Sequence, residues 1–219
     1  LARFIASLSQ GQINKLKQTP GTDAITQILS CAGIRNVELV KSGGGDVNPF
    51  SLGNATSTNL ARIWGVNVND RTSQNAVFAA MSYNGISGNA STVNLNLGGY
   101  DYHDGTRTTG NTRDLEAGRV VGKIIQTAEY LNKPVFIYVC ADGATVSAES
   151  ATADSPWMSD RGIAGMQYML AYHPTRRPSV SGNQVGGFNS GQGAAGEFPT
   201  GNNPELAAQA VFANYAALN

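Results

Sequence analysis

"PVFIYVCA", residues Pro134 to Ala141, is the longest apolar run in the chain, and how it pairs decides the fold. It has the length of a strand and falls far short of the roughly 20 residues that a bilayer span needs. Near-continuous apolarity marks a strand covered on both faces, the habit of strands in parallel sheets. Just upstream, Asp114 to Asn132 reads as a helix. Leu115, Val121, Ile124, Ile125, Ala128 and Leu131 form its apolar stripe, with Asp114 as N-cap. Further upstream, Thr92 to Leu97 alternates, with Val93, Leu95 and Leu97 set between polar residues, as a half-buried strand does. The order strand, loop, helix, strand predicts a three-layer α/β/α sandwich with a mostly parallel sheet, in one domain over residues 1–219.

The rest of the chain is expected to build around that unit. Leu1 to Thr19 has broadly helical spacing, weakened at Gly11 and ended by Pro20-Gly21. A second helix starts at Thr22 or Asp23 and stops at Gly33, and Val37 to Val40 is a short strand before a glycine loop. "ARIWGVNV", Ala61 to Val68, suits a strand or a buried turn. A third helix is predicted over 71–83, with Asn69 or Asp70 at its start. Gly162 to Ala171 suits a short helix or a strand. Pro174 to Thr200 is rich in Gly, Pro, Ser and Asn without periodicity, which predicts a loop or assembly arm at about 174–203. Pro204 to Leu218 reads as an amphipathic helix with Pro204 in its first turn.

Formal net charge is zero and 14% of residues are charged, against about 25% in an average globular domain. A nucleic-acid binder would show a basic face, and so would a protein bound to anionic membranes. Neither partner is expected, nor is a membrane span. Neutral polar surfaces built from Asn, Ser, Thr, Gln and Gly are common on secreted proteins and on assembly subunits, where self-repulsion would hinder packing. The composition therefore points to an extracellular, cell-surface or virion setting, ahead of a periplasmic one. Cys31 and Cys140 sit in apolar contexts and read as small core residues, with their pairing left open. The start at Leu1 suggests a removed leader or a longer precursor.

Chemistry concentrates after the two expected strands. Asp101 and His103 follow the first, in "GGYDYH", and Asp142 follows the second. If the strands are parallel, both carboxyl ends lie on one sheet edge, where α/β proteins bind ligands. Two carboxylates and an imidazole there suit a divalent metal that activates water or binds a phosphoryl oxygen. On spacing alone the bland reading is the stronger: D-x-H after a strand is common by chance, Asp caps turns, and Gly-Gly-Tyr-Asp is good turn chemistry.

The order "GGYDYH", a helix, then an apolar strand ending "CADGATVS" resembles a family of secreted bacterial proteins. Those proteins carry a Gly-Gly-Trp-Asp-Thr-His segment and are related to the alkaline phosphatase and sulfatase superfamily. "MSDRGIAG" (Met158 to Gly165) and "QVGGFNSGQ" (Gln184 to Gln192) sit where the family's Asp-His-Gly and late glycine segments fall. The resemblance covers roughly residues 92–192. It implies an alkaline-phosphatase-like core with one or two divalent metals above the sheet. Asp101 and His103 match the first metal motif, Asp142 the acidic position after the second strand, and Asp160 the third motif.

The departures weigh against catalysis. Arg161 stands where the family has His, and a guanidinium has no lone pair for a metal. The other histidine, His173, lies in "AYHPTRRP". Residues 1–60 offer no clear nucleophile turn; "KSGGGD", ending at Asp46, reads as a flexible turn. Arg176 and Arg177 suit an anion, a solvated turn or a subunit contact. Trp64, Trp157 and Tyr168 suit core or interface anchors better than a sugar-binding platform. The sequence thus predicts a non-catalytic structural or self-assembling subunit of an extracellular appendage, surface layer or virus particle, built on a degenerate hydrolase-like fold. Its expected partners are copies of itself. The alternative is a secreted metal-dependent hydrolase of phosphate or sulfate esters, and the only cofactor these residues suggest is one divalent metal.

Overall fold

The computed structural model describes residue 14 and residues 48–100, 107–141, 145–147, 152–154, 157–159, 165–191 and 193–218. The chain divides into two compact units, Leu1–Val93 and Asn94–Asn219.

The described part of the first unit is helical. A short 3-10 turn, Pro49–Ser51, precedes α1 (Ala55–Trp64) and α2 (Gln74–Ile86). Asn54 starts α1: its side-chain oxygen accepts the amides of Thr56 and Ser57 at 2.9 and 3.3 Å, satisfying donors that the helix itself leaves open. Gly65 ends it in the left-handed region at φ 65°, a conformation that favours glycine. "ARIWGVNV" is therefore the last turn of a helix and its cap. Ser73 starts α2 by accepting the Ala76 amide at 3.2 Å. Asp70, expected as a helix start, instead holds the preceding turn through the amides of Thr72 and Ser73. Helix and turn close over a shared core of Phe50, Leu60, Ala61, Trp64, Ala76, Phe78 and Ala79. The Ser57 hydroxyl donates to the Pro49 carbonyl at 2.6 Å and ties turn to helix inside that core.

The second unit begins with irregular chain at 94–100, followed by α3 (Arg107–Leu131). Asn132, at φ 53°, turns the chain out of α3, and the Lys133 amide closes on the Ala128 carbonyl at 3.0 Å. Strand β1 (Val135–Val139) follows and pairs antiparallel with β4 (Tyr168–Tyr172), Val135 opposite Tyr172 and Val139 opposite Tyr168. Strands β2 (Thr145–Ser147) and β3 (Trp157–Ser159) form a second antiparallel pair within the connection from β1 to β4. Residues 135–172 thus fold back on themselves as two nested ribbons.

That arrangement corrects the expected fold class. Among the described residues there are four α-helices and two two-stranded antiparallel ribbons, not a three-layer α/β/α sandwich with a mostly parallel sheet. The alkaline-phosphatase-like core that the resemblance implied falls with it. Residues 94–97 keep their alternation, with Leu95 and Leu97 half-buried and Asn94 and Asn96 exposed, but Val93 is exposed and 92–97 form no strand. The physical reason is that a continuous apolar run does not encode the direction of its neighbour. β1 takes as its partner the second uncharged apolar segment, "YMLAY", which runs against it.

Helix α4 (Pro204–Leu218) closes the unit, with Asn203 accepting the amides of Glu205 and Leu206. It lies against β1 and β4, and Phe136 meets Tyr215 edge to face with ring centroids 5.8 Å apart. The glycine-rich stretch before it has a local fold. The Thr200 amide and hydroxyl both donate to the Val185 carbonyl, Phe188 bridges Ala194, and the Phe198 ring occupies the space where a side chain at Gly187 would project.

Candidate functional site

Asp101, His103 and Asp142 lie outside the described residues, as do Asp160, Arg161, Cys31 and the loop from Ser42 to Asp46. Among the described residues no group of three His, Cys, Asp or Glu side chains is placed to hold a metal. The sheet edge that was to gather the carboxylates is also not formed, because 92–97 and β1 do not pair.

The "HPTRRP" turn encloses an open hollow of about 490 Å³ between Ala171 and Pro178. Two of its polar groups serve the chain itself. His173 Nδ1 accepts the Thr175 amide at 3.2 Å, and Arg176 donates to the Leu218 carbonyl at 3.3 Å, where it caps the end of α4. Arg177 is exposed.

A second groove, of about 430 Å³, runs beside α2 in the first unit. Phe50, Val77, Met81 and Val93 give it apolar walls, and Asp70 and Arg71 are its charged lining. Hydrogen bonds from the Ser73 hydroxyl and from the Ser73 and Thr72 amides hold the Asp70 pKa at about 2. Arg71 donates to the Val68, Asp70 and Phe50 carbonyls and lies 5.7 Å over the Phe50 ring. Both charges are thus engaged with their own chain, which suits a structural turn.

The feature without such an internal explanation is the β1–β4 ribbon. Its ten residues, "VFIYV" and "YMLAY", include no charge, no proline and no glycine. Directly opposed residues share a face, so Val135, Ile137 and Val139 line one face with Tyr172, Leu170 and Tyr168. Phe136, Tyr138, Ala171 and Met169 line the other, where Tyr215 of α4 packs. Tyr138 donates to the Gln167 side-chain oxygen, and burial pushes its pKa up, with the adjacent Cys140 adding to the shift. The apolar faces nevertheless remain open. Tyr168 is 53% exposed, Leu170 37% and Tyr138 40%. Nearby in sequence, Met166 is exposed, as is Phe212 of α4 at 69%.

Trp64 is core, fully buried, while Tyr168 stands in solvent. Cys140, expected inside, is a free and exposed thiol just past the last paired residue of β1. Sequence reasoning recognised the apolar strand and missed that its partner would leave it uncovered. The signal available was the second apolar segment, "YMLAY", matched to the first in length and lacking charge. No family model, curated protein or solved structure matches this chain.

Proposed function

We propose that the chain is a non-catalytic, self-assembling structural subunit of an extracellular appendage, surface layer or virus particle. The observation that carries this reading is the uncharged β1–β4 ribbon with large apolar side chains in solvent on both faces. Soluble monomers rarely leave a contiguous apolar surface of that kind open, and where one occurs it marks an interaction site. The composition agrees. A chain with net charge zero and few charged residues meets no long-range repulsion from its own copies.

Light scattering and electron microscopy of the purified protein test the reading. Discrete oligomers or polymers are expected at micromolar concentration. A strict monomer over that range defeats it. The metal-hydrolase alternative rests on Asp101, His103 and Asp142 and on the sequence resemblance. It is supported instead if the protein carries stoichiometric zinc or manganese that Asp101→Ala removes.

A further inference from the structure

We infer that the assembly contact is the outer edge of β4, paired antiparallel with β4 of a second copy around a two-fold axis at Leu170. This rests on the self-assembly reading and names the surface that reading uses.

The ribbon ends at β4 among the described residues, so one row of its backbone amides and carbonyls has no ladder partner there. Exposure agrees on both sides of the strand: Tyr168 and Leu170 are exposed on one face and Ala171 on the other. β1 is better covered. Four of its five residues are half-buried, and α3 lies against it, whereas α4 lies against both strands. Proteins guard a free edge with Lys, Pro, a bulge or an inward charge, and β4 has none of these residues. A two-stranded ribbon is marginal alone, whereas three or more strands with a packed apolar face are stable. Joining two β4 edges makes four.

The occupant is a second copy because the edge is compatible with itself. A two-fold axis brings identical residues together, so any charge on the strand would meet its own sign. β4 has no charge to repel. Centring the axis on Leu170 sets Leu170 against Leu170 of the partner subunit, Tyr168 against Tyr172, and Met169 against Ala171. Every cross-strand pair is then apolar, the kind that stabilises a sheet. A durable interface buries about 1,200–2,000 Å² in total. Tyr168 and Leu170, with Met166 59% exposed just ahead of the strand, supply apolar area from both copies beside the main-chain bonds.

The test compares wild type with the Tyr168→Lys/Leu170→Lys double variant by sedimentation velocity, with circular dichroism as a folding control. Wild type is expected above monomer mass and the variant at it, with unchanged dichroism. A variant that assembles like wild type overturns the edge and leaves self-assembly standing. A monomeric wild type overturns both. Because the charged variant can fail by misfolding, a second arm keeps the strand apolar. In a Cys31→Ser/Cys140→Ser background, Leu170→Cys is expected to form a disulfide-linked dimer under mild oxidation, since opposed residues lie within disulfide reach. Leu206→Cys in the same background is the control. Absence of a covalent dimer at 170, or equal yield at 206, rules out the proposed register.

Discussion

In the first unit, Leu60 and Trp64 are fully buried between two capped helices, while in the second Tyr168, Leu170 and Phe212 stand in solvent on segments at least as apolar. The difference lies in how each region is closed. Around α1 and α2 every element end has a local answer: Asn48 for the short turn, Asn54 and Gly65 for α1, Ser73 for α2. Caps fix the helix ends, and the apolar faces can then meet each other. Among the described residues the ribbon has two strands, with α4 packed on one face and α3 against β1. Its hydrophobicity exceeds what the described part of its unit covers. Hydrophobic content therefore does not by itself say whether a region is a core or an interface; the availability of a partner surface in the same unit does.

The comparison breaks most readily at Trp64. Trp64→Ala empties a fully buried indole site and is expected to cost about 3–5 kcal/mol in urea unfolding. A loss under 1 kcal/mol would mean that the first unit is no better packed than the second. A smaller effect belongs to Asp70. Its folded pKa, about 2, lies below the ordinary range of an aspartate carboxyl. The carboxylate's contribution is therefore present above pH 4 and lost as pH falls through 2. Asp70→Asn should flatten the stability-against-pH curve in that window and leave the curve above pH 5 parallel to wild type. An unchanged acid limb would remove Asp70 from the capping turn. The smallest effect is expected at Phe212→Ser, within about 0.5 kcal/mol of wild type, as for exposed sites that pack on nothing. A large loss there would show that the Phe212 side chain is buried and would erase the contrast between the two regions.

Local patterns were legible and long-range pairing was not. Pro204–Leu218 is helical over the residues its sequence marks, because Pro204 and the Ala-rich run act within a few residues. The long helix was found seven residues short at its start. Arg107 to Arg113 includes Thr, Gly and Asn, poor helix formers, and its placement draws on the Arg107 amide bonding to the distant Asp154 carbonyl at 2.8 Å. β1 was recognisable from Val, Phe, Ile and Tyr in a row. Its direction of pairing was not, since a continuous apolar run looks the same whether its neighbour runs with it or against it. The metal group drew on that direction. β1 pairs with 168–172, and among the described residues no sheet joins it to 92–97 to give Asp101 and Asp142 a common edge.

The glycine-rich stretch before α4 has a consequence of its own. Val185 and Thr200 are cross-tied at the base of the loop, and Phe198 sits over Gly187 like a lid on a hinge pin. A break in the peptide chain at the tip, around Ser190 and Gly191, would leave both stumps held by those ties. The tip is thus a natural place to splice in a foreign sequence, with the helix beyond it still anchored.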